Sequence, residues 1–158
     1  MNGIRVMLAD DHTVVREGLR TLLSLEDDIE VVAEAHDGAE ALRMAHEVAF
    51  DVAVMDVGMP DVDGVNATRQ ILEAVPCAAV LALSVHRDRR FVIGMLAAGA
   101  KGYLLKNCAG DELARAIREV ANGRLYISPQ VSEIVAEDYV RRVQRTEEPS
   151  LLLSLIHI

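Results

Sequence analysis

Four short apolar runs in this 158-residue chain end on residues that can do chemistry. Ile4–Ala9 closes on Asp10-Asp11, Val52–Met55 on Asp56, Ala79–Leu83 on Ser84, and Gly102–Leu105 on Lys106. Singly, each has an ordinary structural use. Asp11 can cap the helix after it, Asp56 can open a turn, Ser84 can end a strand, and Lys106 can sit in solvent. All four together, each closing a different run, form a set. Three carboxylates brought together repel one another, and some pKa values rise unless a cation lies among them. Hard oxygen ligands suit Mg²⁺, whereas zinc would call for a Cys/His cluster that the chain lacks. Mg²⁺ beside a carboxylate, a hydroxyl and a lysine can handle a phosphoryl group. Metal and ammonium neutralise the non-bridging oxygens while the carboxylate attacks phosphorus in line. Asp56 is the expected nucleophile, because its run is central and the turn-rich GMPDVDG stretch exposes it. The implied product is an aspartyl phosphate.

These residues meet only if the elements between them return the chain to one edge. Val14, Val15, Leu19, Leu22 and Leu23 recur at helical spacing, and Ile29–Ala35 reads as a second strand. Further helices are expected over Ala39–Val48, over Val65–Ala74 before Pro76, and over Arg89–Ala98 with Gly99 as a left-handed terminator. A fifth helix, Asp111–Ala121, is closed by Asn122-Gly123. Five strands alternating with five helices predict an α/β fold, a parallel sheet covered on both faces. In such a sheet the ligand crevice lies beyond the carboxyl ends of the strands, where the four runs end. Residues 1–124 are read as that domain. After it, Ser128-Pro129 opens another helix, with Val131, Ile134, Val135 and Val140 on one side. Residues 125–152 are expected to lead away from the domain as a linker helix.

Composition narrows the function. Hydrophobic residues make up 51%, enough for a real core and too many for a disordered chain. A formal charge of -9 and no Trp argue against a chain that grips nucleic acid by itself. Cys77 and Cys108 lie far apart and read as reduced thiols. MNGIRVMLADD meets acid too early for a signal peptide, and no segment approaches a membrane span. A soluble, cytoplasmic protein with no membrane partner is expected. A nucleotide switch would need a GxxxxGK[ST] loop, which is missing. A haloacid-dehalogenase-like phosphatase would need an acid two residues after its nucleophile, where this chain has Gly58.

The segments LADDHTVVREGLRTLL, DVAVMDVGMPDVDG and GAKGYLLK carry a resemblance. From Ile4 to about Gly123 the chain resembles the receiver domain of two-component response regulators, in the NarL/FixJ group that usually carries a LuxR-type helix-turn-helix. The resemblance implies a flavodoxin-like receiver fold with strand order 2-1-3-4-5. It makes Asp56 the phosphoacceptor for a sensor histidine kinase. Asp11 and Asp56 would bind Mg²⁺ directly with the Gly58 carbonyl, and Asp10 partly through water. Ser84 would be the switch hydroxyl, Lys106 the lysine that touches the phosphoryl group, and Tyr103 the aromatic that turns inward on activation. The switched face would be helix 89–98, strand 102–105 and helix 111–121. It would form a homodimer on phosphorylation or release an output domain. Such a chain is a signalling switch rather than an enzyme acting on other substrates. It would regulate transcription, with DNA touched only through a helix-turn-helix domain missing here. The alternative is a stand-alone receiver acting by protein contact or phosphorelay. Three positions depart from the common pattern: Asn107 stands where many receivers have Pro, Gly58 offers no screening side chain, and His86 lies two residues past Ser84. The other histidines read as solvated or packed imidazoles. Finally, LLLSLIHI follows the charged RVQRTEEPS, where a solvated linker is expected. Its end resembles a translated transposase-adaptor sequence, so residues 153–158 are expected to be a non-native tail.

Overall fold

The computed structural model describes residues 3–59 and 63–146. Its elements run β1 (Ile4–Ala9), α1 (Thr13–Ser24), β2 (Ile29–Ala35), α2 (Gly38–Glu47), β3 (Val52–Asp56) and α3 (Gly64–Ala74). They continue with β4 (Ala79–Ser84), α4 (Arg89–Ala97), β5 (Gly102–Leu105), α5 (Ala109–Ala121), β6 (Tyr126–Ile127) and α6 (Pro129–Thr146). The strands form one sheet in the order β2-β1-β3-β4-β5-β6, with parallel pairing throughout. Both central strands, β3 and β4, are buried at every position. This is why they read as unbroken apolar runs rather than as alternation.

Alternate residues of each strand feed two cores. Met7, Ala53, Met55, Val80, Ala82 and Tyr103 pack against Ala41, Ala67, Ile71, Val92 and Met95 of α2, α3 and α4. Val6, Leu8, Val54, Leu81, Leu83 and Leu104 pack against Leu19, Leu23, Leu113 and Ile117 of α1 and α5. Asp37, Asp63 and Asp88 start α2, α3 and α4 by accepting from the backbone N–H of Glu40, Asn66 and Arg90. Two glycines set the ends that matter. Gly99 stops α4 at φ +111, and a Cβ there would lie 2.7 Å from Leu72 Cδ1. At Gly64 a Cβ would lie 2.7 Å from Val57 Cα and 2.8 Å from the Asp56 carbonyl, so only glycine lets α3 begin against the end of β3.

The sequence expectation for the segment after Gly123 needs correcting. The expected order 2-1-3-4-5 is present and continues into a sixth strand, Tyr126–Ile127, on the edge of β5. Nor does α6 leave the domain at once: it packs on the domain as far as Asp138, and residues 139–145 beyond are exposed. Val131 is fully buried, and Ile134 and Val135 pack onto the α2–α3–α4 core. Burying one such valine contributes about 1.5 kcal/mol. Two residues are too few to show a strand period, and a helix pattern does not say which neighbour it faces. The expected tail at 153–158 lies outside the described residues. Among those described, no helix is long and apolar enough to cross a membrane.

Candidate functional site

All four strand ends meet at one edge of the sheet. Asp56 is the last residue of β3, Ser84 the last of β4, and the Asp10-Asp11 pair follows β1 directly. Lys106 opens a single 3-10 turn between β5 and α5. Asp10 is 1% exposed, Asp56 5% and Ser84 1%. Lys106 is not a solvated lysine: its Nζ lies 2.9 Å from Asp10 Oδ2 and 3.4 Å from Asp56 Oδ2. Nor does Asp11 cap α1, since His12 holds the cap position and no side chain bonds there. Asp56 keeps its turn-forming use as well, because Oδ1 accepts the Gly58 N–H at 3.1 Å.

The electrostatics follow from burial. Desolvation raises the Asp56 carboxyl above its usual range; the Asp10 charge adds to this, while the Gly58 N–H and Lys106 oppose it. At Lys106 burial pulls the other way, but the ion pair with Asp10 and the charge of Asp56 outweigh it, and the ammonium is held above its ordinary value. One ammonium therefore serves two buried carboxylates, with Asp11 close by.

The residues present fit a hard divalent cation. Asp10, Asp11, His12 and Asp56 each offer one ligand atom, and these atoms all lie within 4.8 Å of one another. Asp10 Oδ2 and Asp11 Oδ1 are buried and meet Lys106 Nζ at 2.9 Å and His12 Nδ1 at 3.1 Å, neither in good hydrogen-bond geometry. With two buried carboxylates on one ammonium, a further cation would balance the remaining charge. The oxygen-rich donor set is consistent with Mg²⁺.

Two neighbours escaped the sequence reading. The His12 N–H donates to Asp10 Oδ1 at 2.8 Å, and its Nδ1 lies 3.1 Å from Asp11 Oδ1. Arg16 Nη1 donates to the Asp10 carbonyl at 2.6 Å. His12 could have been flagged as a third possible ligand adjoining the aspartate pair. Arg16, one turn further on, carries no such local signal.

Beyond the carboxylates, Ser84 Oγ accepts the His86 N–H at 2.9 Å, and the Tyr103 hydroxyl donates to the His86 carbonyl at 2.8 Å. Tyr103 is fully buried, and that burial raises its phenol pKa. The sequence expectation had this ring turning inward on activation; in this structure it is already inside, held by the His86 carbonyl.

Known proteins share this arrangement. The response regulator receiver domain pattern matches residues 6–118. The transcriptional regulatory protein DegU of Brevibacillus brevis is 40% identical over 94% of this chain and 63% of its own length. The oxygen regulatory protein NreC of Staphylococcus carnosus (strain TM300) is 36% identical over 96% of this chain and 72% of its own. The crystal structure of a LuxR-family two-component response regulator from Aurantimonas sp. SI85-9A1 superposes with a TM-score of 0.83 at 38% identity, covering 88% of this chain and 99% of that one. This chain thus spans less than two thirds of DegU. The receiver domain that this pattern describes is a signalling module rather than a classical enzyme. On fold, pocket and sequence alike, the chain belongs to the response regulator receiver domain family, close to the LuxR-family regulators.

Proposed function

We propose that this chain accepts a phosphoryl group on Asp56 from a phosphohistidine of a sensor histidine kinase. The observation that carries the reading is the sharing of Lys106 by buried Asp10 and Asp56. A carboxylate oxygen of Asp56 forms the bond to phosphorus as the bond to the donor nitrogen breaks. That nitrogen leaves with a proton. Lys106 neutralises the incoming oxygens, and Asp10, Asp11, Asp56 and the Gly58 carbonyl would hold Mg²⁺. When bound, the ion balances the charge of the phosphoryl oxygens during transfer.

Phosphorylation of Asp56 turns its carboxylate into a bulkier acyl phosphate in a pocket that already contains Ser84. In this reading the Ser84 hydroxyl turns from the His86 N–H toward the phosphoryl oxygens. The inward seat of Tyr103 is the arrangement that phosphorylation favours. The homodimer then forms on the α4–β5–α5 side, where β6 pairs along β5 and α6 lies on α4, so these two elements share its surface. In the longer regulator the output is control of transcription in the cytoplasm, with DNA contacted through a separate helix-turn-helix domain. The similarity to DegU favours this over a stand-alone receiver.

The direct test is incubation with acetyl phosphate and Mg²⁺, followed by intact-mass analysis. One base-labile phosphoryl group is expected, dependent on Mg²⁺. No added mass, or mass that survives mild base, overturns the proposal.

A further inference from the structure

The part of the molecule that the acidic pocket leaves unexplained is the docking of α6. Its start is tied to β5 on either side of Leu104. The Ser128 N–H donates to the Tyr103 carbonyl at 3.0 Å, and the Leu105 N–H donates to Ser128 Oγ at 3.3 Å. Ser128 is itself fully buried. Its middle is tied to α4: Arg89, the first residue of that helix, donates to Asp138 Oδ1 from Nε at 3.2 Å and Nη2 at 2.5 Å. The Arg142 Nε donates to the other Asp138 oxygen at 2.8 Å. The Asp138 side chain is only 7% exposed, and both guanidiniums hold its carboxyl below the usual range. Arg142 belongs to α6 itself, so of the two partners it is Arg89 that ties the helix to α4.

These ties close a ring through Tyr103. Its backbone reaches α6 through Ser128. Its hydroxyl reaches the His86 carbonyl, three residues before Arg89, and Arg89 reaches α6 through Asp138. The ring of Tyr103 and the side chain of Val131 belong to the same apolar core. An outward Tyr103 would release the His86 carbonyl and open that core beneath α6.

We propose that α6 is a clasp: its docking on α4 and the inward seat of Tyr103 form one two-state element, so that α6 docking and phosphoryl occupancy of Asp56 favour each other. The inference rests on the reading of Asp56 as phosphoacceptor. Because coupling is reciprocal, a factor seen at one end must be seen at the other. The region that senses the switch is then the helix after the sheet, and its state reports the state of the pocket.

The test is hydrogen exchange across residues 129–146, with and without acetyl phosphate and Mg²⁺, while intact mass reports labelling. In labelled protein the α6 amides should exchange more slowly, by about five-fold or more. Arg89→Gln and Asp138→Asn, which break the clasp from either side, should each remove most of that protection. Both should also lower the labelled fraction at a fixed acetyl phosphate concentration. Arg89 lies at the surface, so its variant should keep wild-type exchange in β1, β3 and β4. Labelled protein with unchanged or faster α6 exchange overturns the clasp and leaves the phosphoacceptor reading standing. So does wild-type labelling in both variants. Protein that takes no label overturns both.

Discussion

The two ends of one sheet make an instructive pair. At the amino ends of the strands lies a cavity of about 940 Å³, and its wall includes Arg5, Glu30, Asp51 and Lys101. Its charges balance, two against two. Arg5 and Asp51 already close on each other, Nη2 to Oδ1 at 3.1 Å and Nε to Oδ2 at 3.3 Å. At the carboxyl ends two buried aspartates, Asp10 and Asp56, share the single ammonium of Lys106, with Asp11 beside them. A cavity with balanced charge does not mark a functional end. Unbalanced charge under burial does, because only there does a cation or a phosphoryl group change the energy by much.

The largest difference between the ends should appear in covalent labelling. Asp56→Asn should lose all phosphoryl transfer from acetyl phosphate, whereas Asp51→Asn should label like wild type. Equal labelling of Asp56→Asn and wild type, read by intact mass, would break the comparison at its root. Next comes metal linkage. At a hundred times its Kd, Mg²⁺ should stabilise the fold by about 2.7 kcal/mol, roughly 5–10 °C in melting temperature for a chain of this size. Asp11→Ala should remove most of that gain and Asp51→Asn none of it. An equal response in all three would detach the metal from the acidic end.

Lysines at the two ends should also differ. Lys106→Ala strands two buried carboxylates and should cost roughly 3 kcal/mol without Mg²⁺, measured by urea unfolding. Lys101→Ala, at an exposed position, should stay within about 0.5 kcal/mol. Similar costs would mean that Lys106 is a surface residue after all.

The smallest effect, and the sharpest in sign, is with pH. Burial raises the Asp56 pKa in the fold, so its contribution to stability is full below the unfolded value and is lost as pH rises through the folded one. Without Mg²⁺, Asp56→Asn should therefore melt higher than wild type at neutral pH. That advantage should shrink as pH falls through the raised Asp56 pKa toward the ordinary aspartate value of 3.8. For Asp51 the hydrogen bond from Arg5 lowers the pKa, so its contribution is present above the unfolded value and is lost as pH falls through the folded one. Asp51→Asn should melt slightly lower at neutral pH, with little change because the pair is well exposed. Parallel pH profiles for the two variants would contradict the assignment of unbalanced charge to one end.

Much of this was legible beforehand. The runs before Asp10, Asp56 and Ser84 were visible because buried parallel strands need unbroken apolar residues, and the turn chemistry around Gly99 marked the end of α4. Less legible was what depends on partners far along the chain. Nothing near Asp138 announces Arg89, which lies 49 residues away. Two residues at Tyr126–Ile127 are too few to declare a strand. His12 was passed over because its spacing to other histidines was weighed, when its place beside Asp10-Asp11 was what counted.

The sequence by itself determined the α/β alternation and the residue types that close each strand, since period, turns and caps are local properties of the backbone. Tertiary structure decided which of those residues are buried and with whom. It placed Asp10 beneath Lys106 while leaving Asp11 half exposed, seated Tyr103 inward on the His86 carbonyl, and folded α6 back onto α4. Burial and pairing set the energies of charged groups, and both depend on neighbours that only the closed sheet and its covering helices bring together.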